Sequence, residues 1–255
     1  MSKKGFSLPA LLVLVLSLTA CQSNTRLAGN TVNQVYNDAK VTALINAAME
    51  GRTQDVAEFA SQGADVNSVG TDGTTPLMWA IKARNWQGTE ALLKAGADPN
   101  FATEKFKGIS PMVLMSGGNS LEGLALMLRY GGDAKGDSRP YMRDRPLYLA
   151  ASQGRLENLK LLVAAGADIN DHDPFGGSAA RIAVVTSHFE VVAWLLEHGY
   201  NYDLNKLAEL VQIGRDPEDS EAQRWKNTVI SMLEKRGVTF PTPVKRDPRP
   251  WFLGK

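Results

Sequence analysis

The sequence contains almost no cysteine and few histidines, which removes two common kinds of stabilising or functional site. Cys21 is the only cysteine, so the chain cannot form an internal disulfide. The three histidines, His172, His188 and His198, are far apart and do not have the spacing of metal ligands. We therefore expect neither a metal nor a cofactor.

The chain also lacks an excess of charge and the short motifs of common enzymes. Its 28 basic and 27 acidic residues give a net charge of +1, and no basic stripe is available to bind nucleic acid. There is no Gly-x-Ser-x-Gly motif, phosphate-binding loop or His-Glu-x-x-His motif. The sequence therefore favours a protein that is not an enzyme.

An apolar run near the N-terminus is too short to span a bilayer. It covers residues 10–16, ends near Leu18 and follows the basic residues Lys3 and Lys4. A basic start followed by a short apolar segment is typical of a secretory signal peptide. We expect residues 1–20 to be this signal.

The segment Leu18-Thr19-Ala20-Cys21 resembles the lipobox of bacterial lipoproteins. The resemblance implies cleavage before Cys21 and attachment of lipid to its thiol. Several acyl chains hold a protein at a membrane far better than one. Gln22 stands where lipoproteins retained in the inner membrane typically carry Asp, so the resemblance favours the outer membrane, facing the periplasm. The alternative is an ordinary signal peptide with a coincidental cysteine.

Two sequence markers recur in the rest of the chain with the same irregular period. Gly-Ala-Asp begins at Gly63, Gly96 and Gly166, with Gly-Gly-Asp at Gly131 and Gly-Tyr-Asn at Gly199, at intervals of 33, 35, 35 and 33 residues. The second marker is a triplet of the type Thr-Pro-Leu. Its copies start at the same intervals, at Thr42, Thr75, Ser110, Arg145 and Ser178. Two landmarks in one register indicate a repeat protein.

The residues that begin and end helices allow a single repeat to be interpreted. Thr75 can cap a helix that starts at Pro76, where the missing N–H does no harm. A second helix ends at Gly96, because the residue after a helix often needs a left-handed backbone. Thr-Pro-Leu, a helix pair and Gly-Ala-Asp-x-Asn within about 33 residues resemble the ankyrin repeat. The resemblance implies an all-α ankyrin-repeat solenoid of about five repeats with helical caps.

The predicted organisation follows from where the repeats begin and end. Residues 21–40 form the lipidated tether and N-terminal cap, and residues 41–205 form the repeats. Residues 206–237 form a C-terminal helical cap, with one helix at 206–213 and another that begins at 216–217. The caps cover the ends of the stack or, alternatively, bind a partner. Residues 238–255 are proline-rich and extended, and their aromatic pair packs on the last helices or engages a partner.

The two 35-residue intervals place extra residues at consecutive hairpins, 101–107 and 135–145. Aromatic, methionine and arginine side chains on such tips are typical of interface hot spots. The predicted partner-binding residues are Phe106, Arg139, Tyr141, Met142, Arg143, Arg145, His172 and Phe175. For Phe106 and Tyr141 the alternative is that each folds back onto its own repeat. Trp79 lies near the concave groove that the first helices and hairpins would line, or it packs between repeats.

The expected function is protein binding by a membrane-tethered periplasmic protein. Ankyrin-repeat lipoproteins of Gram-negative bacteria, which this chain resembles, include immunity proteins against phospholipase effectors of type VI secretion. The resemblance implies a protein partner of that class, bound by occlusion of its active site. The alternative is a scaffold for envelope or oxidative-defence proteins.

Overall fold

A computed structural model describes residues 26–27, 29–106, 108–136, 145–213 and 217–241, and the regular secondary structure of these residues is entirely helical. The helices are α1 (Val32–Val35), α2 (Ala39–Glu50), α3 (Thr53–Ser61), α4 (Pro76–Ala83), α5 (Trp86–Lys94), α6 (Pro111–Gly117), α7 (Leu121–Arg129), α8 (Pro146–Ser152), α9 (Leu156–Ala164), α10 (Ala179–Val185), α11 (Phe189–Glu197), α12 (Leu204–Ile213) and α13 (Glu221–Glu234). The all-α prediction is confirmed.

The helices from α2 to α11 form five antiparallel pairs, one for each predicted repeat. The first helices of neighbouring pairs pack side by side from α2 to α10, and α12 continues their row. The second helices from α3 to α9 likewise pack on one another behind this row. One hydrophobic core runs through the stack, from Leu44 in the first pair to Val238 after the last helix. Each repeat therefore buries its apolar side chains mainly against its neighbours.

Side-chain caps begin the first helices and glycines follow the second helices, as the sequence predicts. The hydroxyls of Thr75, Ser110 and Ser178 accept hydrogen bonds from backbone N–H groups in the first turns of α4, α6 and α10. After the second helices, the five marker glycines have φ between +88° and +105°. A side chain would be strained in this backbone conformation, which explains why glycine recurs there.

Repeat one departs from the pattern at its start. Its first helix begins at Ala39 instead of after Thr42, because the carboxylate of Asp38 accepts hydrogen bonds from the N–H groups of Lys40 and Val41. Ala43 occupies the place that proline has in three later repeats, so the helix can extend past Thr42 in the N-terminal direction. The longer helix supplies the surface on which the N-terminal residues pack.

The N-terminal residues form a strap, defined as Leu27 together with residues 29–36. Only Val32–Val35 is helical within the strap, so the helical part of the predicted N-terminal cap before α2 is a single turn. The N–H of Thr71 donates to the carbonyl of Val35 at 2.9 Å, and the Tyr36 hydroxyl donates to the carbonyl of Thr74 at 2.6 Å. The strap is therefore fixed to the hairpin of repeat two as well as to α2.

A second hydrophobic cluster lies beneath the strap. Trp79 is fully buried there, and its Nε1 donates to the Thr74 hydroxyl at 3.0 Å. The cluster consists of Val32, Val35, Tyr36, Val41, Ile45, Met49 and Trp79, with Leu27 and Ala83 at its edge. Of the two interpretations of Trp79, the structure shows the packing one.

Two helices close the C-terminal end of the stack. Helix α12 packs beside α10, and α13 packs on α11. Helix α13 begins at Glu221 and not at 216–217, because the Ser220 side chain accepts a hydrogen bond from the N–H of Gln223. Gly237, with φ +83°, lies just after the helix. Arg236 donates to the carbonyls of Tyr200 and Leu196, which satisfies the exposed end of α11.

Candidate functional site

The structure describes four of the predicted partner-binding residues: Phe106, Arg145, His172 and Phe175. The predictions for Cys21, Arg139, Tyr141, Met142 and Arg143 fall outside the described residues, as does the proline-rich tail beyond residue 241. The four described residues lie on hairpins that precede first helices. We call these hairpins, together with α4, α6, α8 and α10, the first-helix face.

The longer loop before repeat three packs against the hairpin of repeat two. The Thr103 hydroxyl donates to the carbonyl of Gly73 at 2.6 Å, and Lys105 Nζ donates to the carbonyl of Thr71 at 3.4 Å. A Cβ on Gly73 would lie 2.6 Å from Lys105 Cβ and 2.7 Å from the backbone nitrogen of Phe106. Phe106 is half-buried. The extra residues therefore build a contact between adjacent tips.

Arg145 holds two neighbouring hairpins together. It lies immediately before α8, and its guanidinium forms an ion pair with Asp171 at the start of the next hairpin. The side chains are only 15% and 20% exposed. Arg145 therefore has a structural role within the stack, and only a small part of its side chain is available to a partner.

The hairpin of repeat five, residues 171–178, is organised by Asp173. Its carboxylate accepts hydrogen bonds from the N–H groups of Phe175, at 2.9 Å, and Gly177, at 2.7 Å. Gly176 adopts φ +76°, and its carbonyl accepts a hydrogen bond from the Arg181 guanidinium. These contacts fix the backbone on both sides of Phe175.

Phe175 projects from this fixed turn with 89% of its surface exposed. At the base of the hairpin, the His172 ring stacks on Tyr202 with centroids 3.8 Å apart and planes 15° apart. The Ser178 and Tyr200 hydroxyls are 2.9 Å apart, and burial raises the pKa of Tyr200. The hairpin thus carries one exposed aromatic side chain on a rigid support, which is a typical feature of interface anchors.

The structure therefore groups three of the four described residues and separates the fourth. Arg145 reaches the repeat-five hairpin through its ion pair, and His172 and Phe175 belong to that hairpin. Phe106 belongs to repeat three and contacts the repeat-two hairpin instead. The sequence reasoning did not identify Asp173, although an Asp two residues before Phe-Gly-Gly is a turn signal.

A cleft of about 450 Å³ lies on the opposite side, between the second helices α3 and α5. Its lining includes four alanines and the side chains of Glu90 and Lys94. The Tyr130 hydroxyl donates to Glu90 at 2.9 Å, and this hydrogen bond, helped by nearby Lys94 and Arg129, lowers the pKa of the carboxyl. Glu90 is therefore held ionised in a surface contact between repeats.

Neither a metal-binding cluster nor a membrane-spanning helix occurs in the part of the chain that the structure describes. It contains no group of three or more His, Cys, Asp or Glu side chains placed to hold a metal ion. None of its helices is long and apolar enough to cross a membrane.

The stacked helix pairs, the hairpins and the exposed tip define a repeat solenoid of the kind that binds proteins. The family profile described as "Ankyrin repeats (3 copies)" matches residues 14–103 and 111–206, which is well over half of the chain. The chain belongs to the ankyrin repeat family. Ankyrin folds are typically protein-interaction modules without catalytic activity, and nothing in the described residues indicates catalysis.

Two relatives are similar to a short part of the chain. It is 42% identical over 66 residues to the mitochondrial disaggregase of Bos taurus and 43% identical over 65 residues to that of Homo sapiens. Each match covers 26% of this chain and 10% or 9% of the relative. The chain thus spans about a tenth of the length of these curated relatives.

Proposed function

We propose that this protein is a lipid-anchored periplasmic binder that neutralises a secreted phospholipase effector without any enzymatic activity of its own. The observation that carries the binding role is Phe175, which is 89% exposed on a hairpin braced by Asp173 and Arg181. The lipobox-like segment ending at Cys21 and the ankyrin stack support the immunity role by their resemblance to lipoproteins of that class.

A rigid aromatic tip suits tight binding for a thermodynamic reason. A turn whose backbone is already ordered loses little conformational freedom when a partner covers it. The Asp173 carboxylate fixes the turn before binding, so most of the energy gained by burying Phe175 remains available for affinity. A standard interface of roughly 1,600 Å² in total would involve several hairpins and first helices besides this tip.

The proposed mechanism is occlusion. The first-helix face would cover the mouth of the effector's active site or the surface with which the effector docks on lipid. A lipid on Cys21 would keep the binder beside the membrane that the effector attacks, which raises its effective concentration there.

The test is expression of a phospholipase effector, encoded beside the gene for this protein, in the periplasm of a sensitive strain. We expect the wild-type chain to restore survival. The variant Phe175→Ala should protect less, while Leu121→Ala should protect fully, because Leu121 is 46% exposed on the second-helix side. Cys21→Ser should weaken protection at low expression by removing the tether.

Two results would contradict the proposal. Survival that does not depend on this protein would exclude the immunity role. Co-purification of several resident envelope proteins, with no stoichiometric effector, would indicate a scaffold instead.

A further inference from the structure

The cleft between α3 and α5 combines an apolar part with a few polar groups. Its volume of about 450 Å³ is within the range of sites that hold small organic molecules. Four alanines supply the apolar part: Ala57, Ala60, Ala91 and Ala95. The remaining lining residues are polar or charged: Thr53, Gln87, Glu90 and Lys94. This composition is typical of a ligand site, in which apolar groups supply contact area and polar groups fix the orientation.

The cleft is open because repeat two has small side chains where later repeats have large ones. Ala91 lies five residues before its marker glycine, and the residues at the same position in repeats three to five all pack against the main core: Leu126, Leu161 and Trp194. Ala95 immediately precedes the marker glycine. Its equivalent in repeat three is Tyr130, whose hydroxyl reaches Glu90 on α5 at 2.9 Å. Later second helices thus carry bulky side chains where α5 has only methyl groups.

One end of the cleft carries more positive than negative charge. The Glu90 carboxylate lies 3.4 Å from Lys94 Nζ and 3.6 Å from Arg129 Nη1, and it also accepts the Tyr130 hydrogen bond. The Glu90 side chain is 30% exposed, whereas those of Lys94 and Arg129 are 63% and 65% exposed. Lysine has three N–H donors and arginine has five, so a single carboxylate leaves donors available for a second anion.

The acidic side chains of α3 do not line the cleft. Asp55 forms an ion pair with Arg52, and Glu58 accepts a hydrogen bond from Gln62 Nε2 at 2.9 Å. Glu90 is therefore the one acidic residue of the lining, and its charge is already shared between two cations. The local charge favours a negatively charged ligand over a positively charged one.

We propose that this cleft binds a small carboxylate with an apolar body, of which medium-chain fatty acids are the simplest. The ligand carboxylate pairs with Lys94 beside Arg129, and the apolar body covers the four alanines. From Gln87 to Lys94 the cleft extends about 10 Å along α5. The site lies on the second-helix side of the stack, so it is separate from the first-helix face and goes beyond the proposed neutralising function.

The probe is octanoate, titrated into the chain from Cys21 to Lys255 with isotope-labelled alanine methyl groups that are followed by NMR. We expect saturable shifts of the methyl signals of the four lining alanines. Octanamide has the same apolar body without the charge, and it should bind about tenfold or more weakly, because it cannot form the charge-assisted bond to Lys94.

The variant Ala91→Leu should abolish saturable binding, because it introduces the side chain that repeats three and four have at this position. It fills a gap, so the thermal unfolding temperature should not fall. Lys94→Gln should weaken octanoate about tenfold or more and leave the affinity for octanamide unchanged. Ala165→Leu is the matched control, because it adds the same side chain at an exposed position of repeat four, equivalent to Ala95, and it should leave binding unchanged.

Three results would overturn the proposal: methyl shifts that do not saturate at the lining alanines, octanamide that binds as tightly as octanoate, or full binding by a folded Ala91→Leu variant. In the effector assay, the Ala91→Leu chain should protect cells as well as wild type. Loss of protection in this folded variant would contradict the separation of the two sites. Octanoate binding by a chain that protects no cells would retain this site and exclude the immunity role.

Discussion

The side-chain oxygen of Asn100 accepts a hydrogen bond from the backbone N–H of Asp133, 2.7 Å away in the next repeat. The same amide donates to the carbonyl of Gly131 at 2.8 Å, so one side chain makes two bonds across the junction. Asn67 and Asn170 make the equivalent pairs of bonds to the repeats that follow them. Lys135 holds this position in repeat three and interrupts the ladder.

Substitution Asn100→Ala should destabilise the stack. Both hydrogen bonds across the junction are lost, and the N–H of Asp133 and the carbonyl of Gly131 lose this partner. We expect the free energy of unfolding to fall by roughly 1–3 kcal/mol, measured by urea denaturation. Lys135→Ala is the matched control at the interrupted position and should change stability much less. Equal losses in the two variants would show that the ladder bonds contribute little.

Substitution Lys135→Asn should have the opposite effect by completing the ladder between repeats three and four. The new amide could bond to the backbone of Asp168 and Gly166, the residues equivalent to those that Asn100 contacts. An increase of about 1 kcal/mol in the free energy of unfolding is expected. The urea midpoint is the measurement, and Lys135→Gln is the control because its longer side chain does not fit the same geometry. A midpoint that does not rise would mean that this junction has a different backbone arrangement.

Substitution Tyr36→Phe should loosen the strap. Burial raises the pKa of the Tyr36 hydroxyl, which therefore remains protonated and donates to the carbonyl of Thr74. Without this bond we expect a loss of about 1–2 kcal/mol and faster hydrogen exchange at the amide of Thr71, which donates to the strap. Tyr130→Phe removes a hydroxyl contact to Glu90 on the other side of the stack, so exchange at Thr71 should not change. Unaltered exchange in both variants would refute the role assigned to Tyr36.

Substitution Phe175→Ala should separate binding from stability. Its side chain is 89% exposed, so its removal should change the free energy of unfolding by no more than about 0.5 kcal/mol. If the tip is an anchor, affinity for the partner identified in the protection assay should fall about tenfold or more, measured by calorimetry. Asp173→Ala leaves the ring in place but removes its support, and it should weaken binding as well. Full affinity in the Phe175→Ala variant would exclude the tip from the interface.

Substitution His188→Gln should reduce the dependence of stability on pH. Burial lowers the pKa of His188 below its ordinary value of 6.5, and a Cβ on Gly154 would lie 2.5 Å from the ring Nδ1. The folded protein therefore binds this proton less readily than the unfolded chain, so stability is present above about pH 6.5 and falls as the pH drops through the folded pKa. The measurement is urea denaturation between pH 7.5 and 5. If the His188→Gln variant keeps the wild-type slope, His188 is not responsible for the pH dependence.

The sequence was informative where a local marker determines the backbone. Thr75 and Ser110 cap first helices, and the marker glycines take left-handed conformations, so the five helix pairs were predictable. The helix boundaries at the two ends of the stack were harder to predict. The short turn Val32–Val35 and the late start of α13 depend on the Thr31 and Ser220 caps, which lie outside the repeating pattern.

The candidate site was only partly predictable, because its contacts join distant residues. Exposed Phe175 could be inferred from its place on a turn, whereas the stacking of His172 on Tyr202 pairs residues thirty positions apart. The ion pair from Arg145 to Asp171 likewise converts a predicted surface residue into a mostly buried one. Periodicity shows which residues share a face but not which partner each will find there.

The strap limits the distance between a lipid on Cys21 and the folded repeats. Arg26 lies just before the strap, and Asn30 donates to Asp72 on the hairpin of repeat two. Cys21 precedes Arg26 by five residues, which is at most about 18 Å of fully extended chain. A lipid on Cys21 would therefore keep Arg26, at the start of the strap, within about 18 Å of the bilayer surface. A partner held on the first-helix face near the strap would then lie close to the membrane.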